Sequence, residues 1–192
     1  MIVPLEEGDV RDFVKLLLRC YEMEFTKIFG DVYLAYDVLL DYYSNLEDRR
    51  GIYVSKARER VVGLVEIWVR EIKRERLPFS DFIKTFGFLD GLKARLLLSF
   101  FDKRPKKDEA YVRHICLHPD VRLEFGEGLV DKAIEFAKEL GKRRISVWLP
   151  VESDFVDMCV NRGFEIKRML DSKYAEKYFG RRYYYLLVKS LD

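Results

Sequence analysis

Apolar positions recur with two different periods along this chain, and the places where the period changes mark its elements. Val10, Phe13, Val14, Leu17, Leu18 and Tyr21 repeat at three- and four-residue spacing, which predicts a helix opened by Gly8-Asp9. Leu34, Val38, Leu39 and Tyr42 form the stripe of a second helix, over about residues 31–45. Residues 2–5 read as a short edge strand, where Pro4 is tolerated. Residues 52–57 and 61–72 read as two strands about the turn Arg58-Glu59-Arg60. Further on, strands are predicted at 110–117, 144–149, 164–169 and 183–189, and helices at 126–140 and 153–162. Residues 73–108 stand apart. Phe79, Phe82, Ile83, Phe86 and the apolar run 92–101 lie between basic clusters, which predicts a helical insert of two helices joined near Gly87 to Gly91. The order βααββ, insert, βαβαββ predicts a single mixed α/β domain over 1–192.

Composition narrows the function classes. Of 192 residues, 49% are apolar, enough for a packed core. Charged residues reach 35%, but the net charge is only +2, so no general field points to nucleic acid or to an anionic membrane surface. Gln is absent, and Asn occurs only at Asn45 and Asn161; Lys, Arg and Glu take their place, the skew expected of a protein kept hot. No apolar run reaches the length of a membrane span and no signal-peptide pattern opens the chain, so a cytoplasmic protein is expected. Cys20, Cys116 and Cys159 are scattered and read as unpaired, and His114 and His118 lack metal-ligand spacing; no metal is expected.

One stretch carries chemistry. After the strand ending at Leu117, Pro119 stops the extended run, and Gly126 and Gly128 open a helix with Leu129, Ala133, Ile134, Phe136, Ala137 and Leu140 on its inward face and Gly141 at its end. A helix start leaves backbone N–H groups unpaired at the positive end of the dipole. Glycines let backbone approach a bulky anion, and Arg122 adds a fixed cation; together they suit a pyrophosphate.

The start V-P-L-E-E-G-D-V, the strand V-V-G-L-V-E-I, the strand end I-C-L-H-P-D-V-R and N-R-G-F after a helix, in this order, resemble the GNAT superfamily of N-acyltransferases. The resemblance covers most of the chain apart from the insert. It implies a central mixed sheet of about seven strands with helices on both faces. It implies acetyl-CoA as cosubstrate, with the pantetheine arm on Ile115, Cys116 and Leu117 and the pyrophosphate on Arg122, Leu123, Glu124, Phe125, Gly126, Glu127, Gly128 and Leu129. It further implies direct attack of an acceptor amine, from a small molecule or a protein, on the thioester, with the protein supplying position and electrostatics. The chain departs from the family pattern three times. Leu123 stands at the basic loop position with Arg122 one residue early; Glu124 and Glu127 flank the anion site; and Cys159 stands where many members carry a tyrosine that protonates the leaving thiolate.

The remaining candidates have two readings each. Cys159 is either the general acid or a small buried residue. Glu66, which interrupts an apolar strand, is either a base whose pKa burial raises or a solvent-facing strand residue. Glu109 is a weaker base candidate. Strand alternation places Tyr111, Arg113, Ile115 and Leu117 on one face and Val112, His114 and Cys116 on the other, which makes His114 a core or hydrogen-bonded residue and leaves His118 at the surface. The insert reads either as a lid over the acceptor site or as a packing or homodimer surface. Two functions follow: an acetyl-CoA-dependent N-acetyltransferase, or a GNAT-like domain that serves as an acyl-CoA sensor or protein-interaction module.

Overall fold

The computed structural model describes residues 1–74, 84, 87, 88, 91, 92 and 103–192. Most of the insert expected at 73–108, with Phe79, Phe82 and Phe86, lies outside these residues. The elements are β1 (Ile2–Pro4), a 3-10 turn (Glu7–Asp9), α1 (Val10–Cys20), α2 (Glu22–Phe29), α3 (Val32–Ser44), β2 (Ile52–Ala57), β3 (Arg60–Trp68), β4 (Glu109–Leu117), α4 (Glu124–Glu139), β5 (Arg144–Pro150), α5 (Phe155–Asn161), β6 (Glu165–Asp171), α6 (Lys173–Phe179) and β7 (Tyr183–Ser190). The strands form one mixed seven-stranded sheet in the order β1-β2-β3-β4-β5-β7-β6, as expected of the α/β class. Every pairing is antiparallel except β4 with β5.

Each face of the sheet has its own core. On one, Phe13, Leu17, Leu39, Tyr43 and Phe179 from α1, α3 and α6 pack on Ile52, Val54, Leu64 and Cys116. On the other, Leu129, Ala133 and Phe136 from α4, with Phe155 and Cys159 from α5, pack on Val65, Ile67, Ala110, Val112, Ile115 and Ile145. Among the described residues no helix is long and apolar enough to cross a membrane.

Two short helices were not predicted. α2 follows α1 after a break at Tyr21 (φ −118°, ψ 31°) and ends at Gly30 in the left-handed region. α6 is capped by Ser172 Oγ, which accepts from Ala175 N–H at 3.1 Å, and ends at left-handed Gly180. Asp9, expected as a cap, makes no side-chain capping bond; its carboxylate pairs with Lys56 Nζ at 2.7 Å and so ties the start of α1 to β2.

The predicted alternation of β4 fails at a single residue. Glu66 lies opposite His114 and Ile67 opposite Val112, so Arg113 is the extra residue of a β-bulge. Val112 therefore faces the α4 side while Cys116 faces the α1 side, although unbroken alternation would put both on one face. The parallel pairing of β4 with β5 ends at Val112↔Val147, immediately before the bulge. Beyond it the two strands diverge.

The approach to β2 depends on Gly51. It sits at φ +81°, its carbonyl accepts from Ile67 N–H at 2.8 Å, and a Cβ would lie 2.7 Å from Ile67 O. A left-handed L-residue costs about 1–2 kcal/mol before any clash. Gly51→Ala is expected to lower unfolding free energy by at least about 1–2 kcal/mol in denaturant titration.

Candidate functional site

The divergence of β4 and β5 opens a cleft of about 540 Å³, lined by residues 111, 113–119 of β4 and the turn after it, 148–150 of β5, Tyr21, Glu24 and Phe25 of the α1–α2 region, Phe155 and Met158 of α5, and Arg181 and Tyr184. The α2 region, absent from the sequence-based prediction, and Arg181 in the link after α6 thus supply a wall of it.

The bulge behind the cleft is pinned by a buried carboxylate. Glu66 is fully buried, accepts from Trp68 Nε1–H and from Tyr43 Oη–H, each at 2.8 Å, and lies 3.5 Å from the Arg113 guanidinium. Arg113 in turn lies over the Trp68 ring, 4.4 Å from its centroid. Burial pushes the Glu66 carboxyl up, but the groups around it, Arg113 first, then His114 and Arg74 and the Trp68 hydrogen bond, together outweigh it and hold the group below its ordinary value. Both expectations for Glu66 are corrected: its pKa is not raised, and its position is not solvent-facing. It does not line the cleft. His114, next to the bulge, is pushed down to about 3 by burial and then by Arg113, against the pull of Glu66, so it is neutral at physiological pH. Glu109 is buried at the other end of β4, where Ser146 Oγ–H donates to it at 2.6 Å and Lys103 Nζ at 2.5 Å.

Past the bulge, β4 keeps β3 on one side only. All of residues 114–117 stay in register with β3, Ile115 opposite Val65, but the backbone N–H and carbonyl of Ile115 turn to the other side. Its N–H donates to Tyr21 Oη at 3.2 Å, and the Tyr21 hydroxyl donates to Ile115 O at 3.1 Å. Burial raises the Tyr21 pKa, so the hydroxyl stays protonated. The Tyr21 ring meets His114 edge-on, with centroids 5.3 Å apart. Immediately beside this contact, Cys20 and Cys116 form a disulfide that joins the end of α1 to β4. The reading of three unpaired cysteines is corrected here: 96 positions separate the two in sequence, and only the fold brings them together.

At the other wall, Arg181 bridges two carboxylates. Its Nε donates to Glu24 Oε1 at 3.0 Å, and its Nη1 pairs with Glu152. Glu24 Oε2 is buried and has no hydrogen-bond partner among the described residues. Burial raises the Glu24 pKa, more than Arg181 lowers it. Neither residue stood out in sequence, since each is a single charge among many.

The loop after β4 differs from its expected form. α4 begins at Glu124, so Gly126 and Gly128 lie inside its first turns and do not open it. A Cβ on Gly126 would meet Met158 Sδ at 3.0 Å, and one on Gly128 would meet Ile2 Cδ1 at 2.8 Å. These glycines admit α5 and β1 against α4. The turn is closed by Phe125 N–H to Arg122 O at 3.1 Å and Gly126 N–H to Leu123 O at 2.8 Å, which leaves the helix's positive end at residues 122–124. Arg122, Leu123 and Glu124 are exposed there, and Leu123 borders the cleft. Glu127 pairs with Arg162 at 3.3 Å, so its charge is balanced. Phe125 is half-buried, and Leu129 belongs to the core. Cys159 is buried in the α4-side core and is not among the cleft-lining residues; burial pushes its thiol up to about 12.

Solved structures share this architecture. An N-acetyltransferase from Staphylococcus aureus Mu50 is 16% identical with a TM-score of 0.64, over 98% of this chain and 99% of that one. YncA from Salmonella typhimurium, solved with its cofactor acetyl-CoA, is 14% identical with a TM-score of 0.65, over 100% and 94%. An acetyltransferase of the GNAT family from Streptococcus pneumoniae is 16% identical with a TM-score of 0.58, over 100% and 99%. No family model and no curated protein sequence matches the chain.

The His114 environment sets a pH dependence. The folded pKa of about 3 lies below the unfolded value of about 6.5, so between them the unfolded chain binds the extra proton. Stability is full above about pH 6.5 and falls, by a few kcal/mol, as pH drops toward 3. Glu66, also depressed, adds to the loss below its unfolded value. His114→Gln is expected to flatten the dependence between about pH 6.5 and 4.5, measured by urea unfolding across that range. An unchanged slope contradicts the assignment.

Proposed function

The chain has the fold of the GNAT acetyltransferases, and we propose that it is an acetyl-CoA-dependent N-acetyltransferase that transfers the acetyl group directly to an amine. The observation that carries this reading is the cleft between β4 and β5, into which the backbone groups of Ile115 point. An extended pantetheine arm offers amide groups that match such an edge, as an added strand would. In this reading the arm lies along Ile115, Cys116 and Leu117. The pyrophosphate meets the positive end of α4 at Arg122, Leu123 and Glu124, where backbone N–H groups and the helix dipole favour an anion. The helix residues 125–129 support that end from behind.

The acceptor enters from the side of Glu24, Arg181 and Tyr184. Glu24 combines a raised pKa with an oxygen that has no partner among the described residues, which suits it to take a proton from an ammonium group. The freed amine nitrogen attacks the thioester carbonyl. The C–N bond forms and the C–S bond breaks; water at the mouth takes the surplus proton from the acylated nitrogen and gives one to the coenzyme A thiolate, so that the amide and the free thiol leave with no net change in the water. Neither Glu66 nor Cys159 has a part in this scheme: one is engaged with Tyr43, Trp68 and Arg113, the other is enclosed in the core. The second reading, a domain that senses acyl-CoA or holds a protein without turnover, draws on the same Cys159, which leaves the scheme without a built-in acid for the thiolate.

Calorimetric titration with acetyl-CoA, followed by a thiol-release assay over a panel of primary amines, separates the readings. The enzyme reading predicts saturable binding and release of coenzyme A with at least one amine. It also predicts that Glu24→Gln slows release by about 10²–10⁴-fold with little change in acetyl-CoA affinity. Binding without thiol release from any amine favours the second reading, and no binding at millimolar acetyl-CoA removes both.

A further inference from the structure

Two neighbouring contacts bind the α1–α2 junction to the open edge of β4. The disulfide joins Cys20 to Cys116, and the hydroxyl of the next residue, Tyr21, holds both backbone groups of Ile115, the residue before Cys116. Consecutive residues on one segment are thus matched to consecutive residues on the other, one pair by a covalent bond and one by two hydrogen bonds. Tyr21 is also packed edge-on against His114 and lies in the wall of the cleft. A backbone edge turned away from its sheet must have partners for its N–H and C=O groups. At Ile115 the protein supplies both from one hydroxyl, which accepts from the N–H and donates to the carbonyl.

We infer that Tyr21 is a built-in occupant of the β4 edge, seated by the Cys20–Cys116 bond, and that an acyl-CoA binds by displacing its hydroxyl from Ile115. The inference rests on the reading of this cleft as an acyl-CoA site. The amide of a pantetheine arm and the Tyr21 hydroxyl cannot both hold the Ile115 N–H and carbonyl. The affinity for acyl-CoA is therefore reduced by the stability of the Tyr21 contact, in the manner of any ligand that binds a minor state. The disulfide enters because it fixes the backbone of Cys20, and with it the start of Tyr21, over the strand. A dithiol reductant breaks the bond: two electrons and two protons pass to the sulfurs, giving two cysteine thiols, while the reductant closes to its own disulfide. The end of α1 is then held over β4 by non-covalent contacts alone, and Tyr21 leaves the edge more readily. The site couples the thiol state of the chain to its hold on acyl-CoA.

The test is calorimetric titration of coenzyme A and acetyl-CoA into the full chain, oxidised and after treatment with dithiothreitol, for the wild type, Tyr21→Phe and Cys20→Ser. Tyr21→Phe keeps the ring against His114 and removes only the hydroxyl. It is expected to bind acetyl-CoA roughly tenfold more tightly than the oxidised wild type, the order expected when two modest hydrogen bonds no longer have to be broken. Reduction is expected to tighten binding by the wild type several-fold and to leave Tyr21→Phe and Cys20→Ser nearly unchanged, since the tether acts through the hydroxyl and is absent in Cys20→Ser. Equal affinities in oxidised wild type and Tyr21→Phe overturn the inference while the acyl-CoA site stands. A reduction effect of the same size in wild type and Tyr21→Phe removes the coupling through Tyr21. Absence of binding in every form overturns the acyl-CoA reading itself.

Discussion

The ion pair of Arg113 with Glu66 is the constraint on which the rest of this structure depends. It holds one extra residue in β4 at the centre of the sheet. Glu66 is fully buried, and its oxygens take hydrogen bonds from Tyr43 and Trp68 while Arg113 lies across the Trp68 ring. A buried charge stripped of its partner is strongly unfavourable, so the residues of this group hold one another and hold the bulge in register. From the bulge follow the reversal of side-chain facing between Val112 and Cys116 and the end of pairing between β4 and β5. The cleft lies where that pairing stops.

An open strand edge inside a folded domain creates a second constraint. Its N–H and carbonyl groups need partners, and water reaches them poorly beneath helices on one side and a loop on the other. The Tyr21 hydroxyl meets that need at Ile115. The same geometry that makes the edge suited to an extended ligand with amide groups thus makes it attractive to the protein's own side chain. Ligand affinity in such a site is a difference between two sets of hydrogen bonds, and the break between α1 and α2 at Tyr21, with the Cys20–Cys116 bond beside it, sets one of the two terms.

Much of the fold was legible in the sequence, because apolar periods at 10–21, 52–57, 110–117 and 126–140 reflect burial, which acts residue by residue. The bulge was not, since a single chain shows period two and only the pairing with Glu66 and Ile67 shows that Arg113 is supernumerary. Tyr111, Arg113, Ile115 and Leu117 were placed on one face for that reason. Two-turn helices escaped as well: α6 has a Ser172 cap and a Gly180 stop, but its seven residues are too few for a period to be told from chance. With α2 and the link after α6 went Glu24 and Arg181, so one wall of the cleft was invisible. Gly126 and Gly128 were visible but placed at the helix start, whereas they lie in its first turns, where they admit α5 and β1. The disulfide joins residues 96 apart, a pairing that no local pattern carries.

The central claim is that the edge freed by the Arg113 bulge is where an acyl-CoA lies. The most direct measurement is the amide response of Ile115 and Leu117 during titration with acetyl-CoA, followed by nuclear magnetic resonance and by hydrogen exchange. The account predicts large shifts and increased protection at these two amides. It predicts little change at Val54 and Leu64, which lie in the same sheet on β2 and β3. Saturable binding that leaves Ile115 and Leu117 undisturbed would contradict it.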